Sequence, residues 1–487
     1  MNPAADNPHH ERRWLILAVL GLAQLMVVLD ATIVNIALPS AQEALGFSDS
    51  SRQWVVTAYA LAFGSLLLLG GRIGDLFGRK RVFVVGLLGF AGASALGGLA
   101  PNFAVLIGAR ALQGAFGAIL APAALSLLTT TFTDPQERGK AFGLYGGIAV
   151  AGGAIGLLLG GVLTEYLSWR WCLYVNIFFA VPAALGAISL LHRQDDGSSL
   201  RLDIPGTATA SLGLLALVYA CSEAANRGWG DPLILSLFAV AAALLVAFVV
   251  IERRSEHPLL PLRVVLDRNR GGSYAAMGIA GAGMFGVFLF LTFYLQDTLG
   301  FSPVQTGLAF LPMMPMIMLT SSLASTRLLP RFGPRALIVG GMLLAMAGML
   351  LFARVSVDSS YVVHVLPGLI VSGLGMGLIF APAMNTATAG VAGADAGVAS
   401  AMVNTSQQVG GSIGTALLNT LSASAVSSYL ASRQPNPAVI AEASVHGYTT
   451  AFWWSAGIFL LGAVVTGIVL RRGVPEVDPA AEPVLAH

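Results

Sequence analysis

Gly71-Arg72-Ile73-Gly74-Asp75-Leu76-Phe77-Gly78-Arg79-Lys80-Arg81 lies between two long apolar runs. Four of its eleven residues are cationic and one, Asp75, is acidic. Flanking runs long enough to cross a hydrocarbon core make the stretch a tight loop at a membrane surface. Gly71, Gly74 and Gly78 let the backbone turn sharply and bring two helix ends close together. The cations alone fit a topology signal that keeps basic loops on the cytoplasmic side. That signal does not account for Asp75 standing among them.

Composition agrees with a membrane setting. The chain has 487 residues, 56% hydrophobic and 10% charged, with a mean hydropathy of +0.78. A soluble domain carries about a quarter charged residues. The expected fold class is an all-α polytopic membrane protein, with the lipid bilayer as its solvent. A net charge of +2 does not point to nucleic acid, and no nucleic-acid partner is expected. The two cysteines, Cys172 and Cys221, suggest no disulfide framework. The seven histidines lie outside the middles of the apolar runs, and there is no HExxH, no Cys/His cluster and no GxxxxGK[ST]. No metal or cofactor is expected, and an enzyme or an ATP-driven pump is poorly supported. Met1 to Arg13 is polar and reads as a short cytoplasmic tail rather than a signal peptide.

A window of about 20 apolar residues gives fourteen candidate spans, from Trp14–Ala37 to Phe452–Leu470. The least apolar are the seventh, Ile204–Glu223, and the thirteenth, Val398–Leu421. Twenty of the 26 basic residues fall in one set of loops and five in the other, and Arg110 sits inside a span. This bias places both termini in the cytoplasm and the protein in the cell's inner membrane. An even number of spans follows, with twelve as the alternative. Thr326 to Arg335 repeats Gly71 to Lys80 at an offset of 255 residues, aligning Arg327, Phe332 and Gly333 with Arg72, Phe77 and Gly78. Pro330 stands where Asp75 would be. Two parallel six-helix bundles, residues 1–195 and 266–487, would then flank an inserted helix pair at 196–265.

Asp30 lies inside the first span, in Leu29-Asp30-Ala31-Thr32-Ile33-Val34-Asn35-Ile36-Ala37-Leu38-Pro39. A carboxylate at mid-bilayer costs about 2.5–3.5 kcal/mol on insertion scales, so it needs a cavity or a partner. It reads either as a group that loads and unloads a proton or as a structural acid bonded to a neighbouring helix. Arg110, in the fourth span, shares a face with Gly114, Gly117 and Ala121. It reads as a tuner of a nearby acid, Asp30 first, or as a helix anchor. Gly152, Gly156 and Gly160 recur every four residues in the fifth span, a close-packing stripe that continues into Gly161.

The loop of Asp75 resembles the loop between spans two and three of the major facilitator superfamily, roughly G-x-L-a-D-r-x-G-r-k. Ile73 stands for the Leu and Leu76 replaces the Arg. The run from Leu29 to Pro39 resembles the L-D-x-T-I-V-N-V-A-L-P run of its fourteen-span drug:proton antiporters, with Ile36 departing. Arg110, Gln113, Gly114 and Phe116-Gly117 look like R-x-x-q-G-x-g. The span-five stripe looks like G-x-x-x-G-P-x-x-G-G, with Leu157 at the Pro. Trp169-Arg170-Trp171 and Asn176 resemble a W-R-W…N run at the outer interface. The resemblance implies the major facilitator fold of two six-helix bundles plus an inserted pair, and proton-coupled export of drugs or other amphipathic small molecules by a monomer; a dedicated exporter of a self-made antibiotic or lipid, or an uncoupled facilitator of the same fold, is the alternative. It implies a proton-coupling role for Asp30 and Arg110, and a cytoplasmic gate at Gly71, Asp75, Gly78 and Arg79. Asn35, Tyr59, Gln113, Tyr294, Gln296, Asn385, Asn404 and Gln407 are candidate substrate-cavity groups. Glu223 is either a vestibule acid or a solvated cap.

Overall fold

The computed structural model describes residues 12–49, 51–132, 134–191, 203–255, 260, 262–389, 391, 396–431, 433–434 and 436–473. The first half holds α1 (Arg13–Leu45), α2 (Trp54–Phe77), α3 (Arg79–Gly98), α4 (Phe103–Thr131), α5 (Pro135–Tyr166) and α6 (Trp171–Leu190). Then come α7 (Ile204–Arg227), α8 (Pro232–Arg254) and a short α9 (Leu262–Leu266). The second half holds α10 (Arg268–Phe293), α11 (Pro303–Phe310), α12 (Met313–Leu323), α13 (Leu329–Phe352), α14 (Leu366–Thr388), α15 (Ala396–Ala431) and α16 (Pro437–Val469). Wide-pitch turns at Tyr294–Thr298, Ala324–Leu328 and Tyr361–Val365 extend α10, lead into α13 and precede α14. Among the described residues, eleven helical stretches are long and apolar enough to cross a membrane. One of them, Pro303–Phe352, runs over 50 residues. The linker residues 192–202 and 256–259 lie outside the described set.

Most helices overshoot their apolar cores. α16 begins fifteen residues before Phe452 because Asn436 caps it, its side chain accepting from the Val439 amide at 2.9 Å. Asp203, Asp231 and Asp267 cap α7, α8 and α10 in the same way. These side chains satisfy backbone donors that a helix start leaves unpaired. Pro312 stands at the break between α11 and α12 in the tenth apolar run, whereas Pro39, Pro122, Pro182 and Pro382 lie inside unbroken helices. Leu157, where the family pattern has a proline, leaves α5 unbroken from Pro135 to Tyr166.

The internal repeat has a structural counterpart. Gly78 (φ 88°) separates α2 from α3, and Gly333 (φ 73°) breaks the helical path inside α13. Both adopt the positive φ that a side chain would oppose, so the aligned glycine makes a comparable turn in each half.

In the first half, α2 and α3 pack on α4, and α1 packs on α5 and α6. In the second, α10 packs on α14, α15 and α16, and α13 on α14 and α16. α7 and α8 pair with each other, and α7 lies against α2 and α15, at the seam between the halves. The Ser211 hydroxyl donates to the Ser65 carbonyl at 2.9 Å across the α7–α2 contact.

The halves also meet at the face that carries the α1–α2 loop, opposite the face nearest the chain ends. Gln296 Nε2 donates to the Ile36 carbonyl at 3.1 Å, and the Val304 amide donates to Glu165 Oε2 at 3.0 Å. One hydrophobic cluster runs from Leu29–Ala41 of α1 through Leu157 and Trp169 into α10, α11 and α13. Toward the other face, Leu144, Gly146 and Gly147 of α5 are exposed.

The span-five stripe explains how closely α1 and α5 approach. A Cβ on Gly152 would touch Leu25 and Val28. On Gly156 it would overlap the Thr32 hydroxyl and come within 2.9 Å of the Leu29 carbonyl oxygen, and on Gly160 within 2.9 Å of the Ile33 carbonyl oxygen. Gly161 instead faces the second half, 2.6 Å from the Pro303 carbonyl oxygen by the same construction. Gly156→Ala should therefore force α1 and α5 apart and cost about 1–3 kcal/mol, as overpacking does. Gly153→Ala, where nothing lies within 4 Å, should leave stability unchanged or slightly raised. Thermal unfolding of the two variants in detergent measures the contrast.

Candidate functional site

Five helices of the first half converge on Asp30. Its carboxylate is 0% exposed and the Arg110 side chain 1%. Arg110 Nη1 donates to Asp30 Oδ2 at 2.6 Å. Gln113 Nε2 donates to Asp30 Oδ1 at 2.9 Å, and Asn176 Nδ2 donates to the same oxygen at 2.6 Å. The Ser94 hydroxyl oxygen accepts from both amides, at 2.6 Å from Gln113 and 3.2 Å from Asn176. Arg110 Nε donates to the Val55 carbonyl at 3.0 Å, and its guanidinium carbon lies 4.5 Å from the centre of the Tyr59 ring.

Local geometry explains the convergence. Arg110 and Gln113 are three residues apart on α4 and share a face. Nη1 of Arg110 also donates to Gln113 Oε1 at 2.9 Å, so the pair presents one donor surface to α1. Gly114, one turn beyond Arg110, meets the Tyr59 carbonyl and the Phe63 amide of α2, and Gly117 meets the rings of Phe63 and Phe90. Without side chains there, α4 sits close enough to α2 for Arg110 to reach the Val55 carbonyl.

The chemistry of the cluster is one-sided. All three groups bonded to the Asp30 oxygens are donors, which suits an ionised carboxylate acting purely as acceptor. The two charges offset each other, which lowers the cost of holding them in an apolar interior. Asn176 Oδ1 is buried with no hydrogen-bond partner among the described residues. Beside Arg110 lies a narrow void of about 10 Å³, bounded by Val34, Leu38, Val55, Leu106 and Trp169. Its volume is close to that of one water, but its surface is apolar. It lies on the side of the α1–α2 loop.

Residues 20–415 match a family model described as the Major Facilitator Superfamily. The chain belongs to the major facilitator superfamily. Puromycin resistance protein pur8 of Streptomyces alboniger is 55% identical over 469 residues, covering 96% of this chain and 93% of that one. Cephamycin export protein CmcT of Amycolatopsis lactamdurans is 38% identical, covering 96% and 95%. The crystal structure of an auto-inhibited peptide transporter of the POT family superposes with a TM-score of 0.70 at 16% identity, covering 96% of this chain and 99% of that one. The fold is therefore an all-helical, multi-pass transporter fold, and the protein is a transporter, not an enzyme.

The remaining candidate residues of the transporter do not form one cavity. Tyr59 and Gln113 belong to the Asp30 cluster, inside the first bundle rather than on an outer cavity wall. Asn35 is buried and donates to the Ala31 carbonyl of its own helix at 3.1 Å. Tyr294 is fully buried, its hydroxyl donating to the Ser356 carbonyl at 2.8 Å. Gln296 lies on the seam between the halves. Asn385 is exposed and donates to the Ser325 hydroxyl at 3.3 Å, and Asn404 and Gln407 are half-buried on α15. Glu223 pairs with Arg227 one turn away at 3.3 Å. Arg79 opens α3, half-buried, next to Gly78, while Gly71 lies in the penultimate turn of α2. The side chain of Asp75 lies outside the described residues.

Several contributors have a role here that the sequence does not point to. Asn176 reads there as part of an interfacial run, and Ser94 as an ordinary small polar residue. Lys80 reads as a topology cation, yet its ammonium donates to the Ile188 carbonyl at 2.8 Å and to the Leu191 carbonyl, clipping α3 to the end of α6. Asp30→Ala and Arg110→Ala should each strand a buried charge and cost about 3–5 kcal/mol. The double variant should cost less than the two together, with a coupling of about 0.5–3 kcal/mol. A double-mutant cycle by thermal unfolding in detergent reads the coupling, and strict additivity would mean that the pair does not form.

Proposed function

We propose that this transporter exports amphipathic drug-like molecules, antibiotics among them, across the cytoplasmic membrane in exchange for protons. The observation that carries the reading is the buried Asp30–Arg110 pair, with its amide donors, next to a narrow void on the α1–α2-loop side. The names of the relatives support the cargo class, since they speak of puromycin resistance and cephamycin export. The second of these names favours a narrower variant, a dedicated exporter of one self-made antibiotic. In this reading there are fourteen spans, both termini are cytoplasmic, and the α1–α2 loop faces outward. The protein works as a monomer in the bilayer and uses protons alone as coupling ion.

The cycle is a rocking of the two halves between inward-open and outward-open forms. The contacts of Gln296, Glu165 and Gly161 at the outer face correspond to the inward-open form. Proton uptake converts the Asp30 carboxylate into a carboxyl whose O–H must donate. Each neighbour now donates to it, so one must withdraw or turn. Asn176 Oδ1 lacks a protein partner, and rotation of that amide would present it as the acceptor. Arg110 then loses its counter-charge in an apolar interior, and the first bundle no longer favours its present packing. Protons moving inward at a potential of about 100 mV each supply about 2.3 kcal/mol. Asp75 and Arg79, with the turn between Gly71 and Gly78, hold the cytoplasmic side shut in the outward-open form.

Two measurements test this. In proteoliposomes with an imposed proton gradient, puromycin should dissipate the gradient through the wild type and at least about tenfold more slowly through Asp30→Asn. Equal rates would move coupling away from Asp30, and no drug-driven flux through the wild type would remove the antiport reading. Asp75→Asn should insert and fold but transport poorly; normal transport would remove the gate role.

A further inference from the structure

Arg52 reads in sequence as one of the few cations on the outer side. In the structure it is 5% exposed and sits between the halves. Its guanidinium carbon lies 4.1 Å from the centre of the Phe293 ring, 5.8 Å from Phe290 and 5.9 Å from Tyr448. The three rings belong to α10 and α16 of the second half, whereas Arg52 belongs to the α1–α2 connection of the first. A carboxylate completes the setting: Asp49 Oδ1 lies 3.7 Å from Arg52 Nη1. Asp297, just beyond α10, is also within electrostatic reach of Arg52.

Two features say that this seating is temporary. The cation and the rings are on bodies that must part if the outer face is to open. The polar groups beside the box are also poorly served while it is closed. Arg52 Nε, both amide atoms of Gln53 and the Thr57 hydroxyl are buried with no partner among the described residues. Gln53 and Thr57 are each 0% exposed. Unpartnered buried polar groups cost free energy that water would restore. Gln53, Thr57 and Gly64 share one face of α2, and a Cβ on Gly64 would lie 3.1 Å from Gln408 of α15. The polar stripe therefore runs along the same seam between the halves, and opening the seam would wet it.

We infer that the Phe290–Phe293–Tyr448 box is an exit subsite for monovalent organic cations, which Arg52 fills whenever the outer face is closed. The inference rests on the export reading for its place in the cycle. Aromatic faces around a desolvated cation attract it by their quadrupoles, and a ligand cation satisfies the same geometry as a guanidinium. When the halves part, Arg52 leaves with the first half and the rings face the outer solution together with Asp297. A cationic substrate leaving the cavity pauses there. On closing, Arg52 returns as an intramolecular competitor and displaces it outward, which favours release over rebinding.

The test uses the purified full-length chain and ethidium, a planar fluorescent cation. Arg52→Ala and Arg52→Gln both empty the box without removing its rings. Each should bind ethidium about tenfold more tightly than the wild type, a cation–π contribution of ordinary size. Adding Phe293→Leu to Arg52→Ala should remove that gain, and the anion fluorescein should show no gain in any variant. Unchanged ethidium affinity in both Arg52 variants overturns the subsite. So does a gain that survives Phe293→Leu or extends to fluorescein, because it would then come from general opening of the mouth. The export reading fails separately, in the puromycin assay. A box that binds ethidium in a protein that moves no drug would be a cation site without that role.

Discussion

Asp30 and Arg110 sit 2.6 Å apart with almost no exposure to solvent, and the rest of the first half is arranged so that they can. A carboxylate inside a span needs a cavity or a partner. The partner here is a guanidinium from α4; Gln113 and Asn176 donate to the carboxylate as well, and Ser94 accepts from both of those amides. The cluster therefore fixes the relative positions of α1, α2, α3, α4 and α6. On its other side, α1 lies against the glycines of α5, so that helix is gripped from both sides at the turns around Asp30. A change in the charge of this cluster cannot stay local, because the helices it touches include the one that faces the second half.

The seam between the halves shows the complementary design. Polar contacts accompany the hydrophobic cluster that joins the bundles where they meet. Gln296, Glu165 and Arg52 are all placed across the seam at the face of the α1–α2 loop, and each makes a contact that separation would break and water would replace. The glycine pair of Gly161 and Gly307 lets α5 and α11 approach backbone to backbone, an approach that depends on shape and releases no charged group. α7 lies along the α2–α15 side of the seam, where it can cover the polar stripe from lipid while the halves move.

Much of this was legible in the sequence, and the reason is chemical contrast. A lone acid and a lone base inside apolar runs cannot be ignored, so Asp30 and Arg110 stand out. The every-fourth-residue glycines announce close packing, and the aligned Gly78 and Gly333 announce a shared turn. What stayed hidden lacked contrast. Ser94 and Asn176 are polar residues of kinds that occur in many spans, and only the fold brings Asn176 to the Asp30 carboxylate and Ser94 to the amides beside it. Arg52 lies in a loop, where an arginine reads as a topology signal, and its burial depends on rings that the sequence places far away, on α10 and α16. Tyr59 and Tyr294 read as cavity aromatics, yet both are buried by their own bundles. The run Pro303–Phe352 joins two apolar stretches into one helical path, and the polar content of α15 keeps it below the hydropathy of a typical span. With α2 contributing only the shorter apolar stretch Trp54–Leu67, these reasons bring the fourteen windows read from the sequence down to eleven among the described residues.

The measurement closest to the centre of this picture is infrared difference spectroscopy of the carboxyl stretch, recorded as the purified protein is taken from neutral to acidic pH. If Asp30 is the group that exchanges protons, a protonated-carboxyl band should appear in the wild type and be absent from Asp30→Asn. If wild type and variant give the same difference spectrum, Asp30 stays ionised against Arg110 throughout. The pair would then be a structural staple, and the coupling proton would have to be carried elsewhere.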